Sequence, residues 1–396
     1  MTDWKAIEAK YYMHVVNRQP VVLEKGKGTR VWDVDGAEYL DFTAGWAVNN
    51  LGHCNPVVTS AIQDQATKLM QVSNQFYSLP QLQLAEVLVE NSCMDRVFFS
   101  NSGAEANEGA IKLARKYGRL HRNGAQEIIT AMNSFHGRTI AMISATGQPH
   151  YQEAWKPLAT GFVNVEYDDL QAIKDATNDN TCAILLEVIQ GEGGVNVPTE
   201  GYLKGVRDWC DQNGILLIFD EVQTGVGRLG TLFGYEMFGV EPDVMTLAKA
   251  LGNGVPIGAF LCKEECAVLE PGDHGSTFGG NPLATAAANA TVRAIVDTDI
   301  LANVKTAGDY LVKKLEELRS RHPGVIVDIR GEGLLLAIQF GDMIAAQLVA
   351  ACNQEGLLLN PVRPNAIRLM PPLTVTLEEV DEAVLKLENG LRVVSG

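Results

Sequence analysis

A single lysine, Lys249, lies within the apolar stretch 247–251 of the sequence TLAKALGNGVPIG. Burial disfavours the charged form of an amine and can lower a lysine pKa by about 3–5 units. A neutral lysine amine is a nucleophile that forms Schiff bases. The alternative is a lysine whose stem packs while its head reaches water. Glycines at positions 252, 254 and 258 favour the nucleophile, because they let the backbone approach a bound molecule closely.

An aspartate ends a second apolar stretch. The sequence ILLIFDEVQTGVGR begins as a buried strand and reaches Asp220 and Glu221. Ligands of open α/β sheets bind beyond the carboxyl ends of strands, which places Asp220 where it could meet a cationic atom. A solvated loop acid is the alternative. Gly225, Gly227 and Gly230 have dinucleotide-loop spacing, but they do not follow the strand directly and precede a poor phosphate-binding helix, so we expect no NAD site.

A possible phosphate-binding turn lies between a predicted strand and a predicted helix in VFFSNSGAEANEGAIKLARKY. Ser102 and Glu105 have the spacing of a capping box, and Gly103 exposes backbone N–H groups at the positive end of the helix. Such groups bind phosphate, although an ordinary capped helix is the alternative. A phosphate-binding turn, a strand-end aspartate and a buried lysine, in that order on one sheet, are the groups that pyridoxal phosphate requires.

The elements that position these residues follow from hydrophobic patterns. Residues 21–42 alternate apolar and polar side chains around Asp35-Gly36, which predicts a β-hairpin. From about residue 56 to 300, short apolar runs alternate with helical stretches, as is typical of a mostly parallel sheet covered by helices on both faces.

The remaining chain reads as a smaller domain. A helix is predicted over residues 301–321, followed by three strands and a last helix that begins at Thr376 with Glu379 completing a capping box. We therefore expect three parts: an N-terminal segment with the hairpin over residues 1–55 that packs with the small domain, a large domain over 56–300 that binds the cofactor, and a small α+β domain over 301–396.

The charge and the cysteines restrict the class of protein. The chain has 32 Lys and Arg against 48 Asp and Glu, a net charge of −16, which disfavours nucleic acid and anionic membranes as partners. Seven scattered cysteines suit reduced thiols in a cytoplasm. Cys262 and Cys266 lack a second pair or a histidine cluster, so we expect no metal site. No run reaches the roughly 18 apolar residues of a membrane span, and the N-terminus does not read as a signal peptide. We expect a cytoplasmic protein.

Six segments between residues 100 and 284 resemble the successive signatures of the class III, ornithine-type pyridoxal-phosphate aminotransferases: SNSGAEANEGAIKLAR, FHGRT, EVIQGEGG, FDEVQTGVGR, TLAKALGNGVPIGA and STFGGNPLA. The terminal sections fit as well, and GLLLN and AIRLMPPL are most similar to the acetylornithine subgroup. The resemblance implies the α/β architecture of fold type I, with a mostly parallel seven-stranded sheet between helices in the large domain and a smaller α+β domain. It also implies a homodimer with shared active sites.

The resemblance assigns two catalytic residues. Lys249 would form the Schiff base with pyridoxal phosphate and carry a proton between the substrate and C4′ of the cofactor. Asp220 would keep the pyridine nitrogen protonated. His136, beside Phe135 in FHGRT, is expected to be a structural histidine.

Further cofactor contacts are implied by the same resemblance. Phe135 and Val222 would cover the two faces of the ring, and Gln223 would contact its phenolic oxygen. The remaining contacts would hold the phosphate, and they come from Ser102, Gly103, Ala104 and, across the dimer interface, Thr277.

Five residues are expected to bind substrates. Arg138 suits a substrate carboxylate, since a guanidinium binds one bidentately. Arg368 resembles the family arginine that binds the α-carboxylate of 2-oxoglutarate and glutamate, and Glu192 resembles the glutamate that masks it while the donor is bound. Ser276 is expected to contact the donor. Trp46 stands where ornithine enzymes usually have tyrosine and acetylornithine enzymes a smaller aliphatic residue.

The expected reaction transfers the terminal amine of N-acetylornithine to 2-oxoglutarate, giving N-acetylglutamate semialdehyde and glutamate, as in arginine biosynthesis. The indole of Trp46 favours this donor, because it offers an apolar face and only one N–H donor. Ornithine, succinylornithine, an acylated lysine-pathway amine and 4-aminobutyrate are the alternative donors. Arg368 argues against an aminomutase, and the intact Lys249, Asp220 and phosphate turn argue against a binding protein without catalysis.

Overall fold

The computed structural model describes residues 2–395 and begins with a helix and a small antiparallel sheet. The helix Trp4–Tyr11 precedes strands β1 (Leu23–Lys27), β2 (Arg30–Asp33) and β3 (Glu38–Asp41), which pair in that order. Gly36 forms the β2–β3 turn with a φ of 86°, a conformation that glycine adopts without a steric cost.

A seven-stranded sheet forms the centre of the large domain. Its strands are β4 (Arg96–Ser100), β5 (Glu127–Ala131), β6 (Phe162–Val165), β7 (Thr181–Leu186), β8 (Leu216–Asp220), β9 (Val244–Leu247) and β10 (Gly258–Cys262). Their order across the sheet is β4-β10-β9-β8-β7-β5-β6, and β10 is antiparallel to both of its neighbours while the other pairs are parallel. The predicted mostly parallel seven-stranded sheet is confirmed.

Both faces of this sheet are buried, which explains its continuous apolar strands. Leu216 and Ile218 of β8 pack in one core with the apolar stripe of helix Gly103–His121, whereas Leu217 and Phe219 pack in the core on the opposite face. The helices between residues 56 and 296 are Pro56–Ala66, Leu79–Glu90, Gly103–His121, Ile140–Ala145, Pro149–Gln152, Leu170–Ala176, Tyr202–Asn213, Gly234–Phe238 and Pro282–Val296.

The C-terminal part contains a second antiparallel sheet. Its strands are β11 (Ile326–Glu332), β12 (Leu335–Phe340), β14 (Asn360–Arg363) and β15 (Ala366–Leu369), in the order β11-β12-β15-β14, and β13 (Leu357–Leu358) pairs instead with β3 in parallel. Three helices accompany them: Ile300–Arg321, Ala345–Gln354 and Leu377–Ser395.

Two local features of the C-terminal part follow the sequence pattern. Thr376 and Glu379 form the predicted reciprocal capping box, with bonds of 3.0 and 3.2 Å. The helix predicted over residues 301–321 begins one residue earlier, at Ile300.

The boundaries proposed at residues 55 and 300 stay predictions. Among the helices of residues 2–395, none is long and apolar enough to cross a membrane.

Candidate active site

A cavity of about 360 Å³ lies at the carboxyl edge of the seven-stranded sheet. Asp220 is the last residue of β8, and Lys249 comes two residues after the end of β9, so two neighbouring strands deliver them to the same edge. The cavity is lined by nine of the predicted site residues: Ser102, Gly103, Ala104, Phe135, Glu192, Asp220, Val222, Gln223 and Lys249.

Asp220 is fixed by three hydrogen bonds. Its Oδ2 accepts from Asn107 and lies 2.8 Å from Nδ1 of His136, and its Oδ1 accepts from the backbone N–H of Val222. Asn107 also donates to the carbonyl of His136 and accepts from Thr246. A carboxylate that is buried but bonded in this way keeps its orientation and can face a cationic ring nitrogen.

His136 and Asn107 line the cavity, and the sequence interpretation did not assign either of them to the site. His136 was expected to be structural only, yet it lines the cavity and contacts Asp220 directly. Asn107 is a buried amide on the otherwise apolar stripe of its helix. That interruption of the stripe was the available signal, because a buried amide requires polar partners.

Lys249 lines the cavity and is partly buried. Burial, reinforced by the positive charge of Arg368, lowers the pKa of Lys249 to about 8. Within residues 2–395 it forms no ion pair or hydrogen bond, so its amine is not tied to a protein group. Its φ of 45° is uncommon for a residue with a side chain and costs of order 1–3 kcal/mol. These features favour the nucleophile over a lysine whose head reaches water.

The predicted phosphate turn is a helix N-terminus at the cavity. Ser102 caps helix Gly103–His121, and its Oγ accepts from the backbone N–H of Glu105 at 3.2 Å. The capping box forms in this direction only, because the Glu105 carboxylate accepts from both nitrogens of Asn101 instead. A Cβ at Gly103 would lie 2.9 Å from Cγ1 of Val222, so only glycine lets the turn pack this closely.

Glu187 is a further cavity residue that the sequence interpretation missed. Its Oε1 accepts from the backbone N–H of Phe135 at 2.9 Å, and its Oε2 from that of Gly191 at 3.1 Å. Burial raises the pKa of this carboxyl to about 7. It follows β7 directly, as Asp220 ends β8, and this shared strand-end position could have revealed it. Glu187 joins the loop after β5 to the loop after β7.

Arg368 and Glu192 meet beside the cavity, as predicted. The Arg368 side chain on β15 is fully buried, and burial lowers its pKa. Its Nη2 donates to Glu192 at 3.0 Å and to Asn360 at 2.7 Å, and its Nη1 donates to Gln223 at 3.0 Å. The side chain of Glu192 is 35% exposed, so the carboxylate has room to leave. Arg368 thus has a partly exposed acidic partner.

Trp46 does not line the cavity. It lies in a left-handed turn, Ala44–Ala47, whose four φ angles are between 44° and 66°, and it is 56% exposed. Asp41 anchors the turn by accepting from Thr43 and from the backbone N–H of Ala44. The turn delivers Val48 to the cavity instead. A role for Trp46 in donor binding stays a prediction.

Three other predicted residues also lie outside the cavity lining. Arg138 is exposed, and its guanidinium carbon is 3.9 Å from the centroid of the Tyr151 ring. Ser276 accepts from Asn101, which does line the cavity, at 3.1 Å. Thr277 is exposed. The structure places Ser276 at the rim and does not bring Arg138 or Thr277 into the cavity of the same chain.

The cavity groups fit pyridoxal phosphate. Asp220 provides an anion for the ring nitrogen, Lys249 a free amine for the aldehyde, and the helix N-terminus at Gly103 donors for the phosphate. Gly103 lies so close to Val222 that a side chain at this position would clash, so glycine lets the helix N-terminus approach the cavity at this point.

Known proteins match the chain over nearly its whole length. The model of the class-III aminotransferase family matches residues 11–391. The chain is 51% identical to an acetylornithine aminotransferase of Caldanaerobacter subterraneus subsp. tengcongensis, over 97% of this chain and 98% of the relative. It is 49% identical to an acetylornithine aminotransferase of Methanocaldococcus jannaschii, over 98% of this chain and 97% of the relative.

Solved structures agree with this assignment. The ornithine aminotransferase of Toxoplasma gondii superimposes with a TM-score of 0.96 at 36% identity, over 99% of this chain and 95% of that one. The acetylornithine aminotransferase of Elizabethkingia anophelis gives a TM-score of 0.88 at 35% identity, over 98% of both chains. The chain belongs to the class-III aminotransferases and is an aminotransferase that depends on pyridoxal phosphate.

Proposed function

We propose that this chain transfers the terminal amine of N-acetylornithine to 2-oxoglutarate and releases N-acetylglutamate semialdehyde and glutamate. The observation that carries the proposal is the buried Arg368 with its displaceable partner Glu192 beside the lysine-bearing cavity. The identity of about 50% to relatives named acetylornithine aminotransferase supports the choice of donor.

The residues of the cavity have distinct tasks. Pyridoxal phosphate, when bound, supplies an electrophilic carbonyl and an electron sink. Asp220 holds a proton at the ring nitrogen, because its carboxylate is kept in place by His136 and Asn107. Lys249, whose pKa is lowered to about 8, has enough neutral amine near neutral pH to act as nucleophile and then to move a proton.

Arg368 and Glu192 let one pocket accept two different molecules in turn. While the donor is bound, Glu192 neutralises the guanidinium, which would otherwise repel a cationic amine. When a dicarboxylate enters, Glu192 leaves and Arg368 binds the α-carboxylate with two parallel hydrogen bonds. This alternation explains why the arginine is paired with a partly exposed carboxylate and not with a buried one.

Arg138 and Trp46 provide donor selectivity in this proposal. Arg138 binds the α-carboxylate of the donor, and the acylated nitrogen brings no charge to desolvate at the indole. A free ammonium would lose hydrogen bonds at Trp46, although a cation–π attraction of about 0.5–2 kcal/mol partly compensates. Ornithine, 4-aminobutyrate and longer acylated amines are the competing donors.

A donor panel tests the proposal. The value of kcat/KM is measured at saturating 2-oxoglutarate for N-acetylornithine, ornithine, N-succinylornithine, Nα-acetyl-lysine and 4-aminobutyrate. We expect the highest value for N-acetylornithine. A value for ornithine that equals or exceeds it would reject the donor assignment, while any active donor preserves the aminotransferase assignment.

We further propose that the enzyme is a homodimer in which Thr277 completes the partner's phosphate site. Thr277 is exposed in the single chain, and the ring of neighbouring Phe278 is 62% exposed. Mixing Lys249→Ala with Thr277→Ala chains should create heterodimers with one intact site and one doubly defective site. Recovery of activity on mixing supports the shared site. An active monomer in sedimentation contradicts it.

A further inference from the structure

Two arginines outside the predicted site hold the segment that carries Glu192. Nε and Nη2 of Arg363 donate to the carbonyl of Gly193 at 3.0 and 2.7 Å. The same two nitrogens of Arg330 donate to the carbonyl of Gly194 at 3.0 and 2.7 Å. Each guanidinium thus places two charge-assisted donors on one backbone oxygen, directly after the glutamate.

The segment held by this arginine clamp, Arg330 and Arg363, is a tight loop that carries Glu192. Its ends are joined by two backbone bonds between Gln190 and Asn196, of 3.1 and 3.0 Å. A Cβ at Gly193 would lie 2.5 Å from the carbonyl oxygen of Asn133, and Gly194 has a φ of 122°. The loop tip is therefore closely packed backbone whose carbonyls turn toward the arginines.

The C-terminal sheet carries Arg368 and also the two arginines that hold the Glu192 loop. Arg330 lies on β11, Arg363 on β14 and Arg368 on β15, all in the same C-terminal sheet. Arg330 is itself held by Asp328 and Gln339, each at 2.8 Å. The position of Glu192 relative to Arg368 is thus set by the sheet that carries Arg368, although the two residues come from different parts of the chain.

We propose that Arg330 and Arg363 are positioning residues that hold Glu192 against Arg368 and so set how strongly a dicarboxylate must compete for that arginine. The inference rests on the proposed exchange of Glu192 for a substrate carboxylate. Loosening the loop makes Glu192 easier to displace, so dicarboxylates bind more tightly while the donor half-reaction slows. A purely structural role predicts the opposite for dicarboxylates, because a disturbed site binds every ligand less well.

The test measures binding of glutarate, an unreactive five-carbon dicarboxylate, to the holoenzyme by calorimetry. The Kd should fall about fivefold in Arg363→Met and in Arg330→Met, within the range of couplings between neighbouring contacts. The matched control is Arg319→Met. Arg319 lies in the C-terminal part and donates to the carbonyl of Val327, away from the loop, so glutarate binding should not change.

Single-turnover kinetics provide the second readout. The donor half-reaction should slow in both clamp variants, while the 2-oxoglutarate half-reaction keeps its rate and its half-saturation falls. An unchanged or higher glutarate Kd in folded clamp variants, or equal slowing of both halves, would overturn the inference. If Arg363→Met does not fold, Arg363→Lys is tested in its place, because lysine keeps the charge but cannot place two donors in the same planar arrangement.

One further variant separates this inference from the proposed function. Arg368→Met should lose glutarate binding altogether. If Arg368→Met binds glutarate with the affinity of the unaltered enzyme, the proposed dicarboxylate site is wrong, and the proposed role of Arg330 and Arg363 is wrong with it. If Arg368→Met loses binding and the clamp variants do not gain it, only the clamp is wrong.

Discussion

The cofactor end and the substrate end of the cavity are built differently. At the cofactor end, Asp220, Lys249 and Gly103 all lie at the carboxyl ends of strands of one sheet or within three residues of them, and the neighbouring Asn107 and His136 are buried. The proposed substrate end combines Glu192 from a loop of the large sheet with Arg368 from the C-terminal sheet, and Trp46, which is proposed to bind the donor, lies in an N-terminal turn outside the cavity lining. Two of these three side chains have substantial exposure.

The difference corresponds to the tasks of the two ends. A cofactor that stays bound through the cycle is served by groups with a single fixed geometry, and a bonded polar network provides that rigidity. Two alternating substrates require a group that can be exchanged, which a partly exposed carboxylate on a loop supplies. Substitutions at the cofactor end should therefore affect both half-reactions, and those at the substrate end should affect one.

The largest effect is expected at the cofactor end. Lys249→Ala should fold but lose turnover by at least about 10³-fold, because both the nucleophile and the proton carrier are removed. Steady-state kinetics check this, with Lys313→Ala, an exposed lysine, as the control. Turnover near the normal rate would end the assignment of Lys249.

Arg368→Met should separate the two half-reactions. Removal of charged hydrogen bonds of about 1.5–3 kcal/mol each should slow the 2-oxoglutarate half by roughly 10²-fold and the donor half much less. Single-turnover measurements of the two halves check this, with circular dichroism to confirm folding. Equal losses in both halves would contradict the proposed exchange of Glu192 for substrate.

Asn107→Ala tests whether the buried network acts on both half-reactions. It removes the bonds to Asp220 and to the carbonyl of His136, so we expect about a tenfold loss in both halves and weaker binding of pyridoxal phosphate. Asn289→Ala is the control, since the Asn289 side chain accepts from Arg293 at the helix surface. A loss confined to one half would break the comparison between the two ends.

The smallest effect is expected from Trp46→Tyr. A phenolic oxygen adds one hydrogen-bonding group for a free amine, so the preference for N-acetylornithine over ornithine should fall about two- to tenfold. The ratio of the two kcat/KM values measures it, and Trp155→Tyr, at a similarly exposed tryptophan, is the control. An unchanged ratio would remove Trp46 from the donor site.

Local patterns were sufficient for much of the cofactor end. Asp220, Lys249 and the Ser102–Ala104 turn each stand where an apolar strand ends, and sheet topology sends such residues to one edge. The same reasoning passed over Glu187 and Asn107, whose partners are backbone groups or side chains on other elements. The capping-box spacing at Ser102 gives only one of the two bonds of such a box, because Glu105 bonds to Asn101 instead.

The sequence by itself determined the sheet and the placement of Lys249, Asp220 and the Ser102–Ala104 turn near strand ends, because each depends on hydrophobic periodicity and on its distance from a strand end. It also indicated Arg368 and Glu192 through resemblance, without the reason for their pairing. Only the tertiary structure decided that the C-terminal sheet carries Arg368 and also holds the Glu192 loop through Arg330 and Arg363. These contacts join residues more than 130 positions apart in the sequence. Local propensities cannot predict contacts of this kind, because they depend on how the two sheets pack.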